Sequence, residues 1–85
     1  MDDKDRAQEE RRRGPVAAGT VWRHFKGGVY DVICTSVDEA TLTQLVTYRS
    51  HQTGGIWTRP LADFVGEHPV HKVKRFAPVE PAARS

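Results

Sequence analysis

The sequence predicts a mostly β fold, a small five-stranded barrel of SH3-like type with one short helical turn before the last strand. Short runs of β-branched and aromatic residues recur from residue 19 onward, and glycines and prolines separate them. A length of 85 residues allows one domain with a modest core. The chain therefore divides into a flexible charged arm at 1–18, the barrel at 19–77 and a flexible proline-containing tail at 78–85.

The first predicted hairpin joins two β-rich runs, residues 19–25 and 29–37. Between them lies the turn Lys26-Gly27-Gly28, where glycine adopts positive φ at little cost. These two runs are the first two strands of the predicted barrel.

Three further strands complete the predicted sheet. Residues 42–49 form the third strand because apolar and polar residues alternate there. The fourth, residues 56–59, ends at Pro60 because proline cannot donate to a β-ladder. Residues 61–68 are predicted to make one helical turn, and residues 71–76 the fifth strand. One face of the third strand is predicted to comprise Leu42, Gln44, Val46 and Tyr48.

The arm has the charge order of a helix but not its apolar face. Within residues 1–14 the acids come mainly first and the arginines last, the order that a helix dipole favours. Only Ala7 could be buried, so we expect a frayed, exposed arm. The alternative is a basic arm that binds a partner through Arg11, Arg12 and Arg13.

Composition and charge exclude several classes of protein. The net charge of +2 comes from the C-terminal end, since residues 15–70 carry a charge of −1 and residues 71–85 a charge of +3. A duplex binder should have a basic stripe on its folded body, so that class is disfavoured. Apolar runs are too short to span a membrane, and no apolar secretion signal opens the sequence. One cysteine cannot form an intrachain disulfide, so we expect a cytoplasmic protein. Because the apolar runs are short, we expect no membrane partner.

Four blocks of the sequence follow one another in a characteristic order and spacing: RHFKGGVYDV at 23–32, LVTYR at 45–49, WTRPLADF at 57–64 and RF at 75–76. In these blocks the sequence resembles a known family, the bacterial and phage domain of unknown function 1653. The resemblance covers about residues 19–77 and implies a small β-rich domain with no assigned reaction. The sequence departs from the family at Asp38-Glu39-Ala40, where relatives commonly carry a His-Ser-Glu-like stretch.

No motif indicates catalysis, a metal site or a cofactor. Cys34 lies in a strand without a neighbouring base, so we expect a buried packing residue rather than a nucleophile. Pro69 separates His68 from His71 and breaks the helical spacing that a shared metal would need. The acid pair at 38–39 is best explained as a polar turn, and no phosphate-binding glycine loop is present. The sequence thus predicts a non-enzymatic protein.

Trp57 and Arg59 are the residues of greatest interest, because side chains two apart in a strand share one face. The favoured interpretation is a locked corner, with Trp57 and Tyr30 in the core and Arg59 paired with an acid such as Asp63. The alternative is a pocket, and its ligand-binding residues would be Tyr30, Tyr48, Arg49, Trp57 and Arg59.

The pocket interpretation leads to two hypotheses of function. Aromatic planes with arginines suit a stacked base and a bound phosphate, so a nucleotide or a single-stranded or modified nucleic acid is the leading ligand class. The basic segment HKVKRF at 71–76 would contact the backbone. The competing hypothesis is a protein-interaction module with a peptide groove. The sequence does not indicate an oligomeric state.

Overall fold

The structure, a computed structural model that describes residues 2–79, contains one antiparallel sheet and two helices. In chain order the elements are α1 (Asp3–Arg13), β1 (Val21–His24), β2 (Val29–Val37), β3 (Gln44–Ser50), β4 (Ile56–Pro60), α2 (Leu61–Val65) and β5 (Phe76–Pro78). The strand order is β4-β3-β2-β1-β5. The mostly β prediction with five strands and a short helix before the last is confirmed. Within residues 2–79 no ladder joins β4 to β5, so the sheet is open.

The glycine turn between β1 and β2 forms as predicted. Gly27 has a φ of 104°, a conformation that residues with a Cβ atom rarely adopt. The His24 amide donates to the Gly28 carbonyl at 2.7 Å, and the Gly27 amide donates to the His24 carbonyl at 2.8 Å. This turn brings Trp22 opposite Tyr30 and fixes the hairpin register.

The fifth strand is shorter than predicted and begins later. Residues 71–75 do not form a strand, because Lys72 has a φ of 59° and its amide donates to the His68 carbonyl at 2.9 Å in a tight turn. Pairing with β1 begins only at Phe76, opposite His24. Pro78 also pairs with β1, so the first residue assigned to the tail belongs to the sheet. The Val79 amide donates to the Val21 carbonyl at 2.8 Å, and the remaining residues of the predicted tail, 80–85, lie outside the described residues.

A bulge in β2 corrects the prediction for Cys34, which is exposed rather than buried. Val32 pairs with Tyr48 and Cys34 pairs with Thr47, so Ile33 is an extra residue in the ladder. The extra residue reverses the alternation of faces beyond it. Cys34 therefore lies on the outer face of the sheet, and Ile33 beside it is 42% exposed.

The core lies between the inner face of the sheet and α2. Phe64 of α2 is fully buried and stacks on Phe76 at 4.2 Å with an interplanar angle of 10°. Trp22 meets the Phe64 ring edge-on at 5.3 Å. The remaining members of the buried cluster are Val16, Val32, Val46 and Tyr48. The aliphatic part of the core thus reaches back to Val16, which the predicted boundary at residue 19 leaves outside.

The N-terminal segment is helical and contacts the sheet. Ala7 is buried, and its carbonyl accepts a hydrogen bond from Gln44 Nε2 at 2.7 Å. Arg11 Nη1 donates to Thr35 Oγ1 at 3.3 Å. An apolar cleft of about 240 Å³ lies where Arg11 and Val16 face α2. The flexibility of this arm stays a prediction, but side chains of β2 and β3 hold the helix in the described arrangement.

Replacing Phe64 with alanine should destabilise the fold severely. Phe→Ala changes in a packed core cost about 3–5 kcal/mol of unfolding free energy. In a domain of this size each kcal/mol lost lowers Tm by about 4–8 °C. Ile56→Ala is the matched control because Ile56 is 61% exposed, and it should change the free energy of unfolding by less than about 0.5 kcal/mol. Urea unfolding measures both variants. Equal midpoints for the two would contradict the assignment of Phe64 to the core.

Candidate ligand-binding site

Trp57 and Arg59 share the inner face of the sheet, as their spacing predicts. In the β3–β4 ladder Trp57 lies opposite Tyr48, and Arg59 lies opposite Val46. Directly opposed residues in antiparallel strands project to the same face. Since Val46 and Tyr48 are buried, the indole and the guanidinium belong to the face that forms the core.

Trp57 nevertheless is not a core residue, which corrects the favoured expectation. Its relative exposure is 59%, because β4 is the edge strand and the core beneath it does not extend that far. The indole lies over Gly55, where an added Cβ atom would come within 3.3 Å of Trp57 Nε1. An exposed indole on the inner face of an edge strand offers a flat apolar surface to a ligand.

Arg59 does not form the predicted ion pair with Asp63. Its Nε donates to the Tyr48 hydroxyl at 3.4 Å, and the side chain is half-buried. Within residues 2–79, Arg59 has neither a carboxylate partner nor a cation–π contact with Trp57. The locked-corner interpretation is therefore wrong in this respect. The guanidinium keeps most of its donors available for another acceptor.

Neither tyrosine has the exposed ring that stacking with a base would require. Tyr48 is buried, so its ring cannot receive a base, but its hydroxyl reaches Arg59. Tyr30 is half-buried and meets the Tyr48 ring edge-on at 5.4 Å. Its hydroxyl lies over Gly28, where an added Cβ atom would be 3.1 Å away. Both rings therefore contribute packing to the candidate site and not a stacking surface.

Arg49 lies on the opposite face of the sheet from Trp57 and Arg59. It pairs with Ile56 in the β3–β4 ladder, and its Nη2 lies 3.7 Å from Asp31 Oδ2. The other Asp31 oxygen lies 2.8 Å from His51 Nε2. The hydrogen bond from His51 is the main reason why the pKa of Asp31 lies below its ordinary value. The structure thus brings together four of the predicted site residues and leaves Arg49 outside.

Three residues that the predicted site omits, His24, Lys26 and Arg75, are grouped with Arg59 around the His24 ring. The His24 ring is 5.0 Å from the Phe76 ring, which is 5.5 Å from the Tyr48 ring whose hydroxyl contacts Arg59. The pKa of His24 is lowered below its ordinary value of 6.5, first by burial and then by the positive charges of Arg75, Lys26, Arg59 and His68. His24 Nδ1 accepts the Lys26 amide at 3.1 Å, so the neutral ring carries its proton on Nε2. We call His24, Lys26, Arg59 and Arg75 the cationic cluster.

Arg75 is held by its backbone immediately before β5. Its amide donates to the Gly66 carbonyl at 2.9 Å, and its carbonyl accepts the Phe25 amide at 3.0 Å. Its side-chain Nε is buried and has no hydrogen-bond partner within the described residues. A buried donor without a partner is unusual, because the desolvation cost is not offset.

Two further histidines, His68 and His71, pack around the Phe25 ring. The rings of His68 and His71 are each 5.1 Å from the Phe25 ring. His68 Nδ1 accepts the amides of Val70 and His71. The pKa of His68 is lowered, first by burial and then by the charges of His71, Arg75 and Lys26. In the described part of the chain, His, Cys, Asp and Glu form no group of three or more that could hold a metal ion.

The cationic cluster has no acidic counterpart among residues 2–79. The ion pairs there join Lys4 to Glu39 and Arg13 to Glu9, and join Arg49 and His51 to Asp31. Lys26 is exposed, and its Nζ lies 5.7 Å from the centroid of the Phe25 ring. Positive charges without acidic partners repel one another unless an anion binds. The one sequence signal for the cluster was the positive excess after residue 70, which includes Arg75. No pattern in the sequence indicates that Arg75 belongs with His24 and Arg59.

The chain belongs to a family of uncharacterised proteins. The family model described as Protein of unknown function (DUF1653) matches residues 20–78, which is more than half of the chain. The resemblance drawn from the sequence is therefore confirmed. No curated protein and no solved structure matches the chain. No helix within residues 2–79 is long and apolar enough to cross a membrane.

The lowered pKa of His24 makes stability depend on pH. Between its folded pKa and about 6.5, the unfolded chain binds more protons than the folded chain. Stability should therefore fall as the pH drops below about 6.5. His24→Asn keeps an acceptor for the Lys26 amide but removes the titration, so its unfolding free energy should fall less steeply between pH 7 and pH 5. Urea unfolding across this range measures the slope. An unchanged slope would show that His24 does not contribute.

Proposed function

We propose that this protein is a non-enzymatic binding module that recognises a nucleotide or a single-stranded or modified nucleic acid. The single observation that supports it is the exposed Trp57 indole beside Arg59 on the inner face of the sheet. A base stacks on the indole, and a phosphate binds the arginine. The residues proposed to bind or support the ligand are Tyr30, Tyr48, Trp57 and Arg59.

Several features support binding rather than catalysis. The described residues offer no thiol next to a base, since Cys34 lies on the outer face away from Trp57. The carboxylate of Asp31, also on the outer face, is already hydrogen-bonded to His51. A site of cations and aromatic rings in which no described carboxylate forms an ion pair with the cations binds anions well but lacks an obvious general base.

We further propose that the open sheet is a half-closed, SH3-like barrel, in which α2 covers the gap between β4 and β5. The supporting contacts are those of α2 with β3, β4 and β5. A cytoplasmic location is likewise proposed, because the only cysteine, Cys34, is a free and exposed thiol.

Removing the Trp57 ring should weaken ligand binding without unfolding the protein. Stacking of one base contributes about 1–3 kcal/mol, so Trp57→Ala should reduce affinity for a single-stranded oligonucleotide by about tenfold or more. Because Trp57 is exposed, Tm should change by no more than a few degrees. Fluorescence anisotropy of a labelled oligonucleotide measures the affinity.

Ile56→Ala is the matched control for this experiment. Ile56 is the neighbouring residue on β4, has a similar exposure of 61% and points to the opposite face. It should leave affinity unchanged. Equal loss in both variants, or no binding of any oligonucleotide or nucleotide by the unmodified protein, would refute the proposal.

A peptide-binding module is the second candidate function, because β4 is an edge strand with exposed apolar residues. Ile56 and Trp57 project from it, and one side of its backbone lacks a partner strand within residues 2–79. An extended peptide could add to this edge by backbone hydrogen bonding. Such binding would depend weakly on salt, whereas nucleic-acid binding falls steeply as salt rises. The salt dependence of affinity therefore separates the two functions.

A further inference from the structure

We propose that the cationic cluster is a subsite for a single dianionic phosphate, such as the terminal phosphate of a mononucleotide or of a 5′-phosphorylated single strand. This inference rests on the proposed function and specifies which part of the ligand the protein recognises. The residues assigned to the subsite are His24, Lys26, Arg59 and Arg75.

The first argument is charge. Lys26, Arg59 and Arg75 are permanently charged, and their charges act on His24. Phe76, which follows Arg75, pairs with His24, and the two rings are 5.0 Å apart. The Phe76 ring is 5.5 Å from the Tyr48 ring, whose hydroxyl contacts Arg59. No carboxylate among residues 2–79 forms an ion pair with them. Arginines without an acidic partner commonly hold phosphate oxygens, because the guanidinium presents paired donors.

The second argument is the number of unused donors. Arg75 Nε is buried without a partner, and Arg59 uses one long hydrogen bond to Tyr48. The His24 ring accepts through Nδ1 and therefore presents Nε2–H when neutral. An oxyanion beside the His24 ring would offer acceptors to His24 Nε2–H and to the Arg59 guanidinium, and its negative charge would offset that of Arg75. A phosphate has enough acceptor oxygens to do so.

The third argument is position relative to Trp57. The Tyr48 hydroxyl contacts Arg59, and the Tyr48 backbone lies opposite Trp57 in the ladder. Trp57 and Arg59 are two residues apart on β4 and project to the same face, so they are about 7 Å apart along the strand, which is about the span of one nucleoside. A base on Trp57 and its own phosphate at Arg59 can therefore be bound together.

The fourth argument favours a terminal phosphate over a chain of phosphodiesters. Outside the basic segment at 71–76 the folded body is not positively charged: residues 15–70 carry a charge of −1 in total, and Arg49 is paired with Asp31. A long polyanion gains little from such a surface. A single group of charge −2 gains the most from cations gathered at one point.

The first experiment uses anions alone. Pyrophosphate and inorganic phosphate should raise the Tm of the full chain above that in sodium chloride of equal ionic strength, because a ligand that binds the folded state stabilises it. Arg75→Gln and Arg59→Gln should each abolish most of this rise. Arg49→Gln is the matched control, because it removes the same charge from the opposite face, and it should keep the rise.

The second experiment compares two oligonucleotides of one sequence, with a 5′-phosphate or a 5′-hydroxyl. The phosphorylated form should bind about tenfold more tightly to the unmodified protein, and Arg75→Gln should remove this difference. Trp57→Ala should weaken both forms equally. If Arg75→Gln alters Tm in the absence of anion, Arg75→Lys, which keeps the charge, should restore part of the discrimination.

The outcomes separate this inference from the proposed function. Stabilisation by phosphate without binding of any nucleotide or oligonucleotide would support the subsite and refute the nucleic-acid function. Equal affinity for the 5′-phosphate and 5′-hydroxyl oligonucleotides would refute the subsite alone. An equal effect of Arg75→Gln and Arg49→Gln on the rise in Tm caused by phosphate would do the same. Tighter binding of a phosphorylated peptide than of a nucleotide of equal charge would overturn the assignment to nucleotides.

Discussion

The stacking of Phe64 on Phe76 is the contact on which the arrangement of this molecule depends. A sheet of five short strands has two edges and one apolar face, and α2 covers that face with a single fully buried ring. Because Phe76 belongs to β5, the same contact fixes the strand that pairs with β1. Arg75 immediately precedes Phe76, so packing in the core determines where this charge lies relative to His24.

The two faces of the sheet differ in whether their positive charges have acidic partners. On the outer face, Arg49 and His51 both contact Asp31, and their charges are compensated locally. At the rim of the inner face, the cationic cluster has no such acid within the described residues. A solvated ion pair contributes little to stability, whereas uncompensated charges in a partly buried setting carry a cost. That cost is expected where a protein keeps donors ready for an anionic partner.

The sequence predicts local structure well and tertiary placement poorly. The Gly27-Gly28 turn and the alternation along β3 depend on neighbouring residues, and both are found. The strand begins only at Gln44, however, because Leu42, predicted as its first residue, has a φ of 60° and lies in the loop before it. Cys34 was misplaced because a bulge depends on how β2 fits β3, which no local pattern records. Trp57 was expected in the core because a small domain needs large rings, but that argument ignores the position of β4 at the sheet edge. Arg75 and His24 are far apart in sequence, so only the β1–β5 pairing reveals their proximity.

The bulge at Ile33 has a practical consequence for work on this molecule. It turns the only thiol in the chain, that of Cys34, outward on the face away from Trp57. A fluorophore, a spin label or a surface tether can therefore be attached at one defined point of the unmodified polypeptide. Such an attachment leaves the indole and its neighbouring cations open to solution.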